Sequence, residues 1–573
     1  MRKRILGMAL ALVVSGVTSG GAPAQAQGIA GSYLAARSAG MASDFKAAAD
    51  YFTRALARDS SNPQLLENSV LAQLSLGRID RALPIARKME SDGLNSQFAR
   101  MVLVADEAAT DKYEDLLTRL DQKRGIGPLV DGLLKSWALM GAGKVSEALK
   151  AFDDVAEERG LSSFALFHKA LALATVGDFE GADAILSENA GGPLQSTRRG
   201  VIARVEILSQ LDRKGEALAL LDNLFGIGID PSVKDLRAAL AEGQTLPFSV
   251  VTSPRDGVAE VFFSVAAALN NEAGEDYTLL YSRVVEHLRP DHADAILLSA
   301  TLLDALSQHD LAVAAYKSVP TDSPSFFSAE LGRAESLRKA EKMDAAVEVL
   351  EQLSRSHADL PMVWITLGDL MRQLKRFDAA VNAYDKAIAI YGDPTAEQWF
   401  IYYARAICFE RLNEWPKAEA DFRQALELNP GQPSVLNYLG YSLVEHKSKL
   451  DEALAMIEQA VAERPNSGYI VDSLGWALYR LGRYQESIGH MEHATELMPV
   501  DPVVNDHLGD VLWAVGRKRE AEFQWHRALS FAKYENASGE VDADRIRRKL
   551  EVGLDQVLAE EGAPPLKVAD ELD

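Results

Sequence analysis

Apolar side chains between residues 361 and 531 fall at helical spacing, and the whole pattern then recurs at close to 34 residues. Each unit predicts two helices. The first carries a glycine in a Leu-Gly-x-x-Leu-like core: Gly368 in WITLGDLM, Gly440 in LNYLGYSL, Gly475 in VDSLGWAL and Gly509 in NDHLGDVL, with Ala406 in that place in YYARAICF. Twelve residues on, a second helix carries a small residue, at Ala380, Ala418, Ser487 and Ala521, and at Ala453 after one inserted residue. A bulky residue follows four positions later and a small one three after that: Tyr384/Ala387, Phe422/Ala425, Ile457/Ala460, Met491/Ala494 and Trp525/Ala528. Small positions let two antiparallel helices approach, and bulky ones fill the gaps. Pro430, Pro465 and Pro499 close three units, since proline has no amide donor and starts a helix better than it continues one. Turns such as Leu481-Gly482-Arg483-Tyr484 and Val515-Gly516-Arg517-Lys518 join the helices of a pair.

Weaker copies run upstream, at Asp44 to Leu56, Gly77 to Met89, Gly143 to Val155, Gly177 to Ala182 and Met343 to Leu350, which makes an array of roughly a dozen units. The regularity breaks where FGIGIDPSVKD and TLPFSVVTSPRDG bring glycine, proline and β-branched residues together. The expected organisation is therefore a degenerate array over 27–225, an irregular joint over 226–259, a second array over 260–533, and a capping helix with a tail over 534–573. The cap is expected as one amphipathic helix from Asp542 to Glu560, with Ile546, Leu550, Leu554, Val557 and Leu558 on its apolar face.

The first 26 residues read differently, with Met1-Arg2-Lys3-Arg4 followed by a short apolar run from Ile5 to Val14 and a small-x-small site at Ala24-Gln25-Ala26. This is the pattern of a secretory signal peptide, leaving Gln27 as the mature N-terminus, with Ala22-Pro23-Ala24 as a neighbouring alternative site. The apolar run is too short to span a bilayer, so no integral membrane segment is expected after cleavage. Formal net charge is −23, and losing the three basic residues of the leader takes it to −26, which repels phosphate backbones. Nucleic acid is thus not expected as a partner. With Cys408 as the only cysteine, no internal disulfide can form, and stability must come from packed apolar surface.

Little in the chain suggests chemistry. Gly141-Ala142-Gly143-Lys144 lacks the earlier glycine of a phosphate loop, and Gly226-Ile227-Gly228 lacks a third glycine in register. His490 and His493 share a helix face, as two metal ligands could, but they flank Met491 and Ala494, which the repeat assigns to the packed side. No serine or cysteine nucleophile lies in a recognisable turn. The expectation is no enzyme, no cofactor and no metal.

The five regular units resemble tetratricopeptide repeats (TPR). That resemblance implies an all-α fold, a right-handed solenoid of antiparallel helix pairs, whose first helices line an inner, concave wall. In such arrays the inner residues lie three before, one after and four after the motif glycine. Those positions are Ile365, Asp369 and Arg372; Tyr403, Ile407 and Glu410; Asn437, Tyr441 and Val444; Asp472, Trp476 and Tyr479; and Asp506, Asp510 and Trp513. Phe400 and Tyr469 lie one turn earlier on the same stripe. Rings and carboxylates along one groove resemble a surface for a protein or peptide partner, so the candidate site comprises Phe400, Tyr403, Asn437, Tyr441, Tyr469, Asp472, Trp476, Tyr479, Asp506, Asp510 and Trp513. TPR proteins that grip a chaperone's acidic C-terminus place lysine and asparagine here, whereas Asp472, Asp506 and Asp510 would repel a carboxylate.

The run Ser467 to Tyr479, with Asn505 to Asp510 and Phe523 to Leu529, is similar to envelope TPR proteins of Gram-negative bacteria, particularly alphaproteobacteria. These include the lipoprotein that activates a periplasmic carboxyl-terminal processing protease, although its lipid-bearing cysteine has no counterpart here. The likeness implies a periplasmic adaptor serving an envelope protease or cell-wall enzyme, or else a scaffold for outer-membrane or polysaccharide-export assembly.

Overall fold

The computed structural model describes residues 29–188, 197–225, 231–270, 272–532 and 541–566. The leader expected over 1–26 lies outside the described residues, as do Gly226-Ile227-Gly228 and most of the tail. Among the described residues the chain is all-helical, with 31 α-helices, one short 3-10 turn and no strand. None of these helices is long and apolar enough to cross a membrane.

The chain forms two compact units, residues 1–346 and 347–573. In the second unit the five regular repeats are helix pairs: Pro361–Gln373 with Phe377–Tyr391, Trp399–Arg411 with Trp415–Leu428, Pro433–Glu445 with Leu450–Glu463, Gly468–Arg480 with Tyr484–Leu497, and Pro502–Ala514 with Lys518–Phe531. Proline opens three of the first helices, where its missing N–H is not needed. The Asp501 carboxylate caps the last of these by accepting from the amides of Val503 and Val504. The residue inserted before Ala453 is absorbed in the turn by two left-handed lysines, Lys447 and Lys449.

The small-against-bulky pattern has a direct geometric cause. A methyl group on Gly475 would lie 2.3 Å from the Met491 sulfur, and one on Gly509 would lie 2.3 Å from Trp525 Nε1. In four of the five pairs the bulky residue of the second helix lands on the motif glycine of the first, and in the other that position is Ala406. Tyr384, Phe422, Ile457, Met491 and Trp525 are all fully buried there, and each such burial stabilises by about 1.5–3 kcal/mol. Where the small residue is Ser487, its hydroxyl is satisfied by donating to the Gly475 carbonyl at 2.6 Å.

The first unit uses the same pairing but closes on itself. Residues 226–259 were expected as a joint between two arrays; the described part contains a helix, Pro231–Ala241, then an irregular stretch with Leu246, Val250 and Val251 buried. The chain then returns: helix Pro254–Leu269 packs on Gln97–Ala109, Pro128–Gly141 and Ser162–Thr175, which are first helices of successive pairs, and Glu275–Leu288 packs on Pro63–Ser75 and Gln97–Ala109. The division between the compact units falls downstream, within Met343–Ser356.

Polar contacts fasten the returning helices. Trp137 Nε1 donates to His168 Nδ1 at 3.1 Å, and His168 Nε2 lies 3.2 Å from Ser264 Oγ. Arg199 pairs with buried Glu260 at 2.7 Å and with Asp294, and holds the Glu260 carboxyl well below the usual carboxylate range although burial pushes it up. Gln97 Nε2 donates to Tyr277 Oη at 3.0 Å, and Arg283 Nε to the Ser75 carbonyl at 3.2 Å.

Burial pushes the His168 imidazole down from 6.5 to about 4, against a weaker upward pull from Glu260. The unfolded chain takes up a proton at His168 below the first value that the folded protein refuses until the second. Its contribution to stability is therefore complete above pH 6.5 and is lost as pH falls to about 4. We expect a loss on the order of 3 kcal/mol across that window. Urea unfolding of wild type and His168→Gln checks this, because carboxylates titrate in both proteins; equal pH slopes would show that His168 contributes none of it.

Candidate functional site

The inner residues of the second unit fall into three groups. At the C-terminal end the chain covers them itself. The expected single cap helix is two, Ala543–Val552 and Leu554–Glu560, because Gly553 takes a positive φ of 84° between them. Lys549 Nζ, fully buried, reaches Asp506 at 2.9 Å and Asp510 at 2.6 Å, and Trp525 Nε1 donates to Asp510 at 3.0 Å. Trp513 Nε1 donates to Asp555 at 2.9 Å, with its ring against Gly553. Asp506, Asp510 and Trp513 are thus occupied by the chain's own cap. They do not face an open groove.

In the next repeat the candidates pack between neighbours. Trp476 stacks on Tyr479 at 4.8 Å between centroids and on His507 of the following repeat at 3.9 Å, while its Nε1 donates to Glu445. Tyr479 is buried. Asp472 is also buried and pairs with His507 at 3.0 Å, a contact that raises the His507 pKa although burial lowers it. These rings are spent largely on joining repeats. Tyr403 is half-buried among Trp399, Phe422 and Tyr438.

The third group remains open. Asn437, Tyr441, Tyr469 and Asp472 line a cleft of about 970 Å³ that extends from Glu410 to His507. Tyr469 is 64% exposed, and Phe400, one turn before Tyr403 on the neighbouring inner helix, is 38% exposed. Several other lining residues lie outside the expected inner positions, three aromatic side chains among them. Tyr438, two before its motif glycine, donates its hydroxyl to Glu410 at 2.7 Å. Trp415 opens the helix Trp415–Leu428, His446 follows the end of Pro433–Glu445, and the two rings stack at 4.3 Å between centroids. The only sequence signal for that pair was an aromatic ring beside each of two interhelical turns.

By contrast, the inner side of the first unit is filled by Pro254–Leu269 and Glu275–Leu288. It keeps a smaller cavity, about 480 Å³, where Phe45, Phe52, Leu71 and Tyr277 meet. Cys408 lies buried in the second unit, and burial pushes its thiol up to about 12, far from a nucleophilic thiolate. Lys144, in the glycine turn that distantly resembled a phosphate loop, pairs with Glu114.

A tetratricopeptide-repeat family model matches residues 399–432, and a second tetratricopeptide-repeat model matches 33–93, 331–395 and 447–502. This chain is built on tetratricopeptide repeats. A TPR repeat-containing protein of Pseudomonas aeruginosa is 25% identical over 175 residues, 30% of this chain and 29% of the relative. Human tetratricopeptide repeat protein 13 is 26% identical over 192 residues, 33% of this chain and 22% of the relative. The matches therefore span less than a third of either relative's length. Among solved structures, yeast Tom70 aligns over 93% of this chain and 98% of its own at 16% identity, with a TM-score of 0.34. The TPR fold of this chain is that of a scaffold for protein–protein interaction.

Proposed function

We propose that this TPR chain is a periplasmic adaptor that holds a segment of a partner protein in the open cleft of its second unit, in the service of an envelope protease or cell-wall enzyme. One observation carries the choice of site: the inner face of the first unit is filled by its own helices, whereas the second keeps an aromatic-lined cleft with Tyr469 presented to solvent. Rigid rings give contact area at low entropic cost, and a cleft next to packed aromatics is where binding energy concentrates. The compartment is supported by the leader pattern of Met1 to Ala26, and the class of partner by the likeness to envelope TPR proteins.

Photo-crosslinking in cells tests the site. A benzophenone amino acid replacing Tyr469 should give one dominant crosslinked partner, while the same group replacing Phe523, which is also exposed but outside the cleft, should not. The partner band should weaken when Tyr441→Ala is added. Equal crosslinking from both positions would overturn the cleft, and a mature protein that still begins at Met1 would overturn the compartment. A band made of outer-membrane assembly proteins would keep the cleft and replace the adaptor role with a scaffold.

A further inference from the structure

The last repeat of the second unit shows its inner acids met by a neighbouring basic helix. On the Gly509 helix, the residue three before the motif glycine is Asp506 and the residue one after is Asp510, and both receive Lys549 from Ala543–Val552. The apolar side of that helix is seated at the same time, with Ile546 fully buried beside it. A basic amphipathic helix thus completes the last repeat. One repeat earlier the equivalent residue is Asp472, which pairs with His507 at 3.0 Å. Two repeats earlier it is Asn437, whose Oδ1 is buried with no hydrogen-bond partner among the described residues, and there the face opens into the cleft.

The charge around that opening matches the same kind of occupant. Glu410, Asp472 and Asp501 line the cleft together with Arg411 and two imidazoles, His446 and His507, the second of which already pairs with Asp472. Glu410 is held by the Tyr438 and Ser442 hydroxyls and Asp501 by backbone amides, all neutral donors, so neither contact cancels a negative charge. Trp415, Tyr441 and Tyr469 add ring surface beside these carboxylates, and rings attract cations as well as apolar groups.

We propose that the cleft takes a short basic amphipathic segment of the partner, whose cation meets inner polar residues as Lys549 meets Asp506 and Asp510. Its apolar side lies on Tyr441 and Tyr469, and a lysine or arginine reaches Glu410 and Asn437. This rests on the reading that the cleft is the partner site, and it adds the chemistry of the segment that enters.

The test uses the full chain and two fluorescein-labelled synthetic helical peptides of the same leucine pattern, one with lysine and one with glutamate at the polar positions. Fluorescence anisotropy should show the lysine peptide binding roughly tenfold more tightly. Glu410→Gln and Tyr469→Ala should each loosen it by a similar factor; the second keeps the test valid if the first disturbs Tyr438, because the Tyr469 side chain is exposed. Two equally bound peptides that both lose affinity on Tyr469→Ala would overturn the basic preference and leave the cleft standing. Lysine-peptide binding that neither substitution changes would be bulk attraction to an acidic chain, and would overturn the proposal. Absence of binding by either peptide, with Tyr469 crosslinks intact, would mean a different chemical class enters the cleft.

Discussion

Replacing Lys549 with methionine should destabilise the C-terminal cap by about 3–5 kcal/mol, the range for removing one partner of a buried ion pair. Methionine keeps the stem's length and apolar contacts, so what disappears is the ammonium between Asp506 and Asp510 and its position 5.6 Å over the Trp525 ring. Two carboxylates would then face each other, Asp510 buried, with Arg545 as the nearest remaining cation at 3.5 Å. Burial already raises the Asp506 pKa, Lys549 pulls it back down, and Asp510 adds to the rise. Without the lysine the pair should therefore keep a proton well above the ordinary carboxylate range.

The sign of the pH dependence follows. A carboxyl raised in the folded state favours folding below its unfolded pKa, and that contribution disappears as pH rises through the folded value. Lys549→Met should accordingly be least harmful in mild acid and most harmful at neutral pH and above. Hydrogen exchange is the sensitive readout, since 541–566 should open before the repeats do. Adding Asp506→Asn and Asp510→Asn should restore much of the loss, because neutral amides need no cation. Unchanged exchange in the single variant would show that the cap is not held by this pair.

The repeat was legible because its logic is local: the glycine and the bulky residue that lands on it are about sixteen positions apart, as with Gly475 and Met491, and the turn between them is short. The inner positions were also legible as positions. What sequence spacing did not carry was their occupancy. Asp506 and Asp510 looked like groove acids, yet the lysine that neutralises them stands about forty residues on, in a cap expected to cover only the end of the array. Trp476 and Tyr479 looked like ligand-facing rings, but His507 of the next repeat stacks on the first and closes the space. The open part, from Asn437 to Tyr469, is where the neighbouring repeat offers no such residue.

The filling of the first unit was the least legible feature, because its contacts join segments far apart in sequence, and Trp137 tests it most strongly. The indole is fully buried, lies edge-on to Phe152 at 5.7 Å between centroids, and donates to His168. Helix Pro254–Leu269 rests directly on it: a methyl group on Gly257 would sit 2.1 Å from the ring. Trp137→Ala should therefore cost about 3–5 kcal/mol, the transfer term plus the cavity left under a helix that cannot fully collapse. Trp137→Phe keeps much of the volume but leaves the buried His168 nitrogen without its donor, an expected cost of about 1–3 kcal/mol. Both are read by urea unfolding, with exchange faster in 254–269 than in unit two. Peptide affinity in the cleft should stay at the wild-type value in both variants, because the cleft is lined by residues 410–507 of the other unit. A loss below about 1 kcal/mol for the alanine variant would mean that the returning helix does not depend on this seat. A cleft that weakened in step with it would place the binding surface elsewhere.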